Sequence, residues 1–177
     1  MLEYITPKYE HTRIGNFLFK IGASWAYFML DHRILYYFTS IIWNFAMTLI
    51  GALCTVALGV AALFNNKITF YKYYWIYYVK VGQDFWGGMD ASLMFLRDQK
   101  STEEVNEHEW GHSLSQSFLG PLFIFLVALP SVFRWWQRWL FPKKNWKPYD
   151  AFWAEDLATQ TGKYATRFLN ILKESGV

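Results

Sequence analysis

The chain has 177 residues, a net charge of +3 and one cysteine, and 54% of its residues are hydrophobic and 21% aromatic. Only 18% are charged, against roughly a quarter in an ordinary soluble domain. This composition excludes an intrinsically disordered protein, the lone cysteine excludes a disulfide scaffold, and the small net charge argues against a nucleic-acid partner. Because abundant Trp and Tyr are typical of a membrane interface, we expect a small, mainly α-helical membrane protein that contacts the lipid bilayer.

Residues 1–33 carry an apolar pattern at helical spacing, which is interrupted by Lys20. The pattern predicts an amphipathic helix that lies in the membrane interface. Its apolar positions are Ile14, Phe17, Leu18, Ile21, Trp25 and Phe28.

Residues 34–66 contain no Asp, Glu, Lys or Arg. The stretch is longer than the about 20 residues that cross the hydrocarbon of a bilayer, so it predicts a transmembrane helix and an integral membrane protein. Cys54 lies inside it and is interpreted as a small apolar residue. Small residues along the stretch would let another helix pack closely, and they are Ala46, Gly51, Ala52, Gly59, Ala61 and Ala62.

Residues 67–177 form the third predicted segment, and this segment begins with β-rich sequence. Residues 68–82 are β-branched and aromatic, which favours a strand. Gly87-Gly88 predicts a turn or bulge before a second apolar run, Met89 to Leu96. We therefore expect a small antiparallel sheet.

Ser101 and Glu104 match the capping-box pattern, so a helix is predicted to begin at Ser101 and to end at Gly120-Pro121. Gly120-Pro121 and Pro130 divide the apolar residues 113–133 into pieces of about 10–13 residues, which are too short to cross a bilayer. We interpret this run as a broken helix that dips into the bilayer or packs on the anchor.

The residues after this run are basic and aromatic. We interpret residues 134–147 as a belt at the lipid headgroups, and the alternative, a nucleic-acid patch, is disfavoured by the apolar sequence around it. Asp150 is a good N-cap for a last helix, which is predicted from about Ala151 to Leu172.

The predicted helix after the sheet contains His108-Glu109-Trp110-Gly111-His112, an HEXXH motif. The spacing of four places His108 and His112 one turn apart on one face, where both imidazoles can reach one ion. Zn²⁺ accepts neutral imidazole nitrogen, and Glu109 lies beside the metal, where it can take a proton from a water that the metal activates. The alternative to metal binding is that the two histidines are merely hydrogen-bonded on a packed helix.

A third ligand is predicted in the last helix. Glu155 is the one carboxylate in a stripe of small residues spaced by four and three, and such a stripe allows close helix packing. If this helix packs on the HEXXH helix, Glu155 meets the two histidines, and two His plus one Glu is a catalytic zinc set with an open fourth position. In one alternative Glu155 is a solvated helix residue, and in a second alternative another carboxylate is the third ligand. The stripe is Ala151, Ala158, Gly162 and Ala165, and the rival carboxylates are Asp156, Asp150 and Asp90.

Two segments resemble a group of small bacterial membrane proteins, NEHEWGHSLSQSFLGPLFIFLVALPSVFRWW and, after it, YDAFWAEDLATQTG. The motifs of that group are a helix of NHExGHxxQ type, a GP-containing apolar run that ends in PS, and a WxExxAxxxG segment. WNFAMTLIGAL and a WGG followed by an apolar strand also fit, so the resemblance covers roughly residues 34–165. More broadly, HEXXH followed by a helical Glu resembles the gluzincin type of zinc metallopeptidase.

The resemblance implies a zinc-dependent hydrolase of the bacterial inner membrane, with a minimal zincin-like α+β unit in residues 67–177. His108, His112 and Glu155 would be the ligands and Glu109 the general base. Gluzincins commonly have Asp four residues after the Glu, where this chain has Thr159. They often have a histidine as oxyanion donor, for which Tyr149 or Tyr164 could substitute. The strand before the active helix usually lies along the substrate peptide; here it would contain Met89, Asp90, Ala91 and Ser92, for which an ordinary half-buried strand is the alternative.

The sequence thus predicts a membrane-anchored zinc metallopeptidase that cleaves a peptide or protein near the bilayer surface. One alternative is a non-enzymatic accessory subunit of a membrane complex, with other membrane subunits as partners and with zinc structural or absent. Another is a hydrolase of a lipid-linked substrate, because the same metal chemistry serves both substrates.

Overall fold

The computed structural model describes residues 4–82, 87–142 and 144–176, and it is mostly helical (65%) with a small mixed sheet. Trp86 of the WGG motif therefore lies outside the described residues. The helices are α1 (Arg13–Asp31), α2 (Arg33–Phe38) with a π-helical continuation (Thr39–Trp43), α3 (Phe45–Ala62), α4 (Glu103–Leu119), a second π-helix (Ile124–Ala128), α5 (Leu129–Leu140) and α6 (Trp153–Glu174). The strands are β1 (Thr69–Tyr73), β2 (Ile76–Lys80), β3 (Gly88–Ala91) and β4 (Met94–Arg97).

The sheet consists of two hairpins in the order β1-β2-β4-β3. Each hairpin is antiparallel, but the two join through their second strands, so β2 pairs with β4 in parallel. The prediction of an antiparallel sheet was therefore wrong at its centre. Each predicted strand also folds back on itself, at Tyr74-Trp75 and at Ser92-Leu93, and Tyr74 and Ser92 have positive φ angles of 48° and 69°.

Helix α1 is confirmed as a helix, but its buried side differs from the predicted apolar stripe. It packs on α4 and α6 through small and large residues that include Phe19, Gly22 and Ala26. A Cβ on Gly22 would lie 2.4 Å from Leu157 of α6, so the two helices approach closely there. Ile14 and Phe17 of the predicted stripe are exposed instead.

The segment predicted to cross the membrane has two different parts. One side of its first third packs into the protein, where Tyr36 and Asn44 are buried and hydrogen-bond to Ser113 and Gln116 of α4, while the other side is exposed. Its second part, α3, is long and apolar enough to cross a membrane, and among the described helices it is the one that meets this criterion.

The small residues of α3 do not receive another helix in the described part of the chain. Gly51 packs on the sheet instead, where a Cβ would lie 2.3 Å from the Ala91 carbonyl oxygen. Gly59 would have no atom within 4 Å of its Cβ.

Helix α4 begins at Glu103 rather than at Ser101, and the predicted capping box does not form. The Ser101 hydroxyl lies within hydrogen-bond distance of Asp98 Oδ1 and of the Gly87 carbonyl oxygen, so it faces these groups rather than the first turn of α4. At the other end, Gly120 has a φ of 53° and terminates α4 as predicted.

Pro130 does not break the apolar run that follows α4, which stays helical from Leu122 to Leu140. The π-helix ahead of it shifts the hydrogen-bond register, so that the Leu129 N–H bonds the Ile124 carbonyl five residues back. Such a local π-helix makes room for the proline ring without ending the helix. This part of the predicted broken helix was therefore wrong.

Helix α6 begins at Trp153, and Asp150 does not cap it. The Asp150 carboxylate accepts hydrogen bonds from the Tyr9 hydroxyl and from Lys8 Nζ instead. Asp150 thus ties the N-terminal segment to the chain just before α6.

Candidate metal centre

Helices α4 and α6 pack at nearly the shortest distance that two backbones allow. A Cβ on Gly111 of α4 would lie 1.8 Å from the Ala158 carbonyl oxygen, and a Cβ on Gly162 of α6 would lie 1.7 Å from the Glu107 carbonyl oxygen. Only glycine fits at both positions, which confirms the close contact predicted from the small-residue stripe of α6.

This packing brings together His108, His112 and Glu155, a group that can hold a metal ion. Glu155 Oε2 lies 3.0 Å from His108 Nε2 and 3.2 Å from His112 Nε2, and the two nitrogens are 3.1 Å apart. Ligand atoms of a tetrahedral site with bonds of about 2.0–2.1 Å lie roughly 3.3 Å apart, so the three atoms have nearly the spacing that zinc requires.

Thr159 orients the His108 ring. Its hydroxyl has one proton, which it donates to the Glu155 carbonyl at 2.9 Å, so it accepts from His108 Nδ1–H at 2.9 Å. In neutral His108 the lone pair of Nε2 then faces the Glu155 carboxylate, and two lone pairs at this distance need a cation or an extra proton between them. The donor set therefore fits a metal ion.

Ser131, on the first turn of α5, orients the Glu155 carboxylate. Its hydroxyl donates to Glu155 Oε1, which leaves Oε2 on the side of the histidines. The Tyr149 hydroxyl donates in turn to the Ser131 carbonyl at 3.0 Å. Sequence reasoning missed Ser131, although it is the one hydroxyl residue in the apolar residues 122–133.

The two histidines favour the ionised form of the Glu155 carboxylate. Burial alone would raise the pKa of Glu155, but the charges and hydrogen bonds of His112 and His108 hold it well below its usual range. Burial alone would lower the pKa of His108, but its hydrogen bond to the Glu155 carboxylate and the charge of Glu109 raise it above the ordinary value. The pocket thus stabilises positive charge beside Glu155.

Glu109 lies between α4 and strand β3. It is buried, and burial raises its pKa, although the positive charges of His108 and His112 oppose this. A Cβ on Gly88 would lie 2.4 Å from Glu109 Oε1, so the carboxylate packs directly on the backbone of β3, and the Asp90 backbone also opposes the rise in its pKa. The edge strand β3 therefore holds Glu109 in place beside the metal-binding group.

The four residues predicted to line the substrate have different positions. Met89, Asp90 and Ala91 lie in the edge strand β3, and Ser92 lies in the turn that follows it. The side chains of Asp90 and Ser92 are buried, so a peptide could meet only the backbone of β3 at these positions.

The three carboxylates that were alternatives to Glu155 as the third ligand make other contacts. Asp156 Oδ2 accepts from the backbone N–H groups of Lys8 and Tyr9 and lies 2.9 Å from His11 Nε2, all in the N-terminal segment. Asp150 also contacts that segment, and Asp90 lies beside Glu109 rather than among the ligands.

The two tyrosines predicted as oxyanion donors differ in their distance from the centre. Tyr149 lies near the centre, since its hydroxyl bonds Ser131, and burial together with the charge of Glu155 raises its pKa. Tyr164 contacts Tyr27 of α1 and Phe168 instead. It follows Glu155 by nine residues, which places it on the opposite side of α6.

Comparison with known proteins gives no match to a family model, to a curated protein or to a solved structure.

Proposed function

We propose that this protein is a membrane-anchored, zinc-dependent peptidase. The observation that carries the proposal is the convergence of His108 Nε2, His112 Nε2 and Glu155 Oε2, with the buried carboxylate of Glu109 beside them. Two imidazoles and one carboxylate are a common ligand set of catalytic zinc, and they leave one position open.

Each side chain has a distinct role in this proposal. His108, His112 and Glu155 would hold the ion, which when bound supplies a Lewis acid that activates water and polarises a carbonyl. Glu109 accepts the proton of the attacking water and returns it to the leaving amine. Tyr149 is the nearer of the two predicted oxyanion donors, and it would have to release the Ser131 carbonyl to serve a substrate.

The membrane anchor in this proposal is α3. Its 18 residues have a mean hydropathy of 2.1, and only 11% of them are buried inside the protein. At a rise of 1.5 Å per residue, α3 is about 27 Å long, which is close to the thickness of the hydrocarbon.

The proposal is tested by incubating the purified, zinc-loaded protein with a peptide library and identifying the cleaved bonds by mass spectrometry. We expect cleavage by the wild type and a loss of two or more orders of magnitude in rate for Glu109→Gln, because an amide cannot accept the proton. Glu104→Gln, an exposed residue in the first turn of the same helix, is the matched control and should cleave as the wild type does.

A Glu109→Gln variant that keeps full activity would remove Glu109 from the mechanism. If neither peptides nor lipid-linked substrates are cleaved while zinc is bound, the accessory-subunit alternative gains support. That alternative rests on the exposed apolar residues of α3 and α5, which suit subunit contacts as well as lipid.

A further inference from the structure

The helical run Leu122–Leu140 turns its charged residues toward the protein and its apolar residues outward. Arg134 Nη2 donates to the Tyr149 carbonyl at 3.1 Å, and Arg138 Nη2 donates to the Lys147 carbonyl at 2.7 Å. No other charged residue occurs in this run. On the opposite side lies what we call the outward stripe, six residues that are each more than half exposed: Leu122, Phe125, Leu129, Val132, Trp136 and Trp139.

A helix on the surface of a soluble protein has the reverse arrangement, with its apolar side inward. Helix α1 of the same chain offers a comparison. Its exposed apolar residues Ile14 and Phe17 lie among the exposed charged residues Arg13 and Lys20. The outward stripe has no such neighbours on its own helix, and an apolar surface of this extent is rare on soluble monomers.

The end of the run has the composition of a membrane interface. Lys144 Nζ lies 4.4 Å from the centre of the Trp146 ring, and the Arg138 guanidinium lies 5.7 Å from it. Indole rings beside cations are enriched at the level of lipid headgroups, and the cations attract anionic headgroups.

We propose that the outward stripe lies in the hydrocarbon of the bilayer that α3 enters, with the basic end at anionic headgroups. The absence of charge along the stripe and the cations at its end favour a bilayer over a second protein as the occupant. This inference rests on the membrane anchoring proposed above and does not depend on zinc.

The consequence concerns the metal centre. Ser131, on the inward side of the same run, donates to Glu155, and Phe123 contacts the His112 ring at 6.0 Å between centroids. A helix is about 10 Å across, so only one helix would separate the lipid from the centre. A peptide that emerges from the bilayer is therefore the substrate class that this arrangement suits.

The test places one fluorophore at a time in a Cys54→Ala background, since Cys54 is the only native cysteine. Cysteines are introduced at Val132 in the outward stripe, at the exposed Val56 of α3, and at the exposed Ser24 of α1 as control. The labelled proteins are reconstituted in vesicles of phosphatidylcholine and phosphatidylglycerol. Fluorescence is quenched either by spin labels on the acyl chains or by iodide in the water.

We expect the Val132 and Val56 probes to be quenched by the acyl-chain labels several-fold more strongly than the Ser24 probe, and the reverse order with iodide. Iodide quenching at Val132 equal to that at Ser24, with Val56 still in lipid, would overturn the proposal. So would protection of Val132 from both quenchers, or a disulfide between Val132→Cys chains, because another protein would then cover the stripe. Zinc content, measured on the same samples, reports separately on the proposed function.

Discussion

Two hydroxyl side chains determine how the ligands of the candidate centre face one another. Thr159 accepts from His108 Nδ1–H, and Ser131 donates to Glu155 Oε1, so each fixes which atom of a ligand points inward. Residues of this kind, behind the ligands, tune the affinity of a site for its metal.

Replacing Ser131 by Ala should weaken zinc binding by about 10–100-fold, because the Glu155 carboxylate is then free to rotate. Competition with a chromogenic chelator measures this affinity. Ser175→Ala, at the exposed end of α6, is the control and should bind zinc as the wild type does. An unchanged affinity in Ser131→Ala would show that the hydrogen bond to Glu155 does not position the ligand.

The sequence allowed a prediction of the three ligand candidates but not of the side chains behind them. Helical spacing placed His108 and His112 on one face, and the stripe of small residues singled out Glu155. The same arithmetic excludes Tyr164, since nine residues correspond to half a turn beyond two full turns. Ser131 could not be predicted because its contact with Glu155 depends on how α5 packs against α6.

Among the elements, the contact of α4 with α6 is the one on which the centre depends. Gly162→Ala should force the helices apart, since the new Cβ would lie 1.7 Å from the Glu107 carbonyl oxygen. We expect a loss of about 1–3 kcal/mol in the free energy of unfolding and a lower zinc occupancy, although no ligand is changed.

Denaturant unfolding and zinc analysis of the purified variant measure the two effects. Gly59→Ala is the matched control, because a Cβ there would have no atom within 4 Å. A Gly162→Ala protein with full stability and zinc content would mean that the two helices are not packed as described.

The N-terminal segment is attached to α6 through the buried Asp156. Asp156→Ala should leave zinc bound but free residues 8–11, because their backbone N–H groups and His11 lose their acceptor. Limited proteolysis and hydrogen exchange should show earlier cleavage and faster exchange in this segment. Wild-type protection in Asp156→Ala would show that other contacts hold the segment.

The sheet and the apolar run that follows α4 show what sequence patterns could not predict. Runs of β-branched and aromatic residues predicted strands, but the hairpin turns at Tyr74-Trp75 and Ser92-Leu93 contain no glycine or proline that would mark them. The parallel pairing of β2 with β4 joins two separate hairpins, so it depends on tertiary packing rather than on local sequence. Pro130 was expected to end a helix, yet the π-helix before it accommodates the ring.

In the molecule as a whole, the part of the apolar segment that precedes α3 and the start of α3 pack on the core, while most of α3 stays exposed. The Thr48 hydroxyl lies 2.8 Å from Ser92 Oγ, Asn44 bonds Gln116, and Tyr36 bonds Ser113, so this segment contacts both the HEXXH helix and the β3–β4 turn. The absence of charged residues predicted an apolar helix. However, Tyr36, Asn44 and Thr48 are polar, uncharged and spaced by multiples of four, so they mark the side of the segment that contacts the protein.

The measurement that tests the central claim most directly is the metal content of the purified protein, by mass spectrometry, beside two neighbouring variants of α6. We predict about one zinc per wild-type chain, its loss in Glu155→Ala and its retention in Asp156→Ala, because Glu155, unlike Asp156, faces His108 and His112. A folded wild-type protein without metal, or a site that empties in Asp156→Ala and stays filled in Glu155→Ala, would contradict the account.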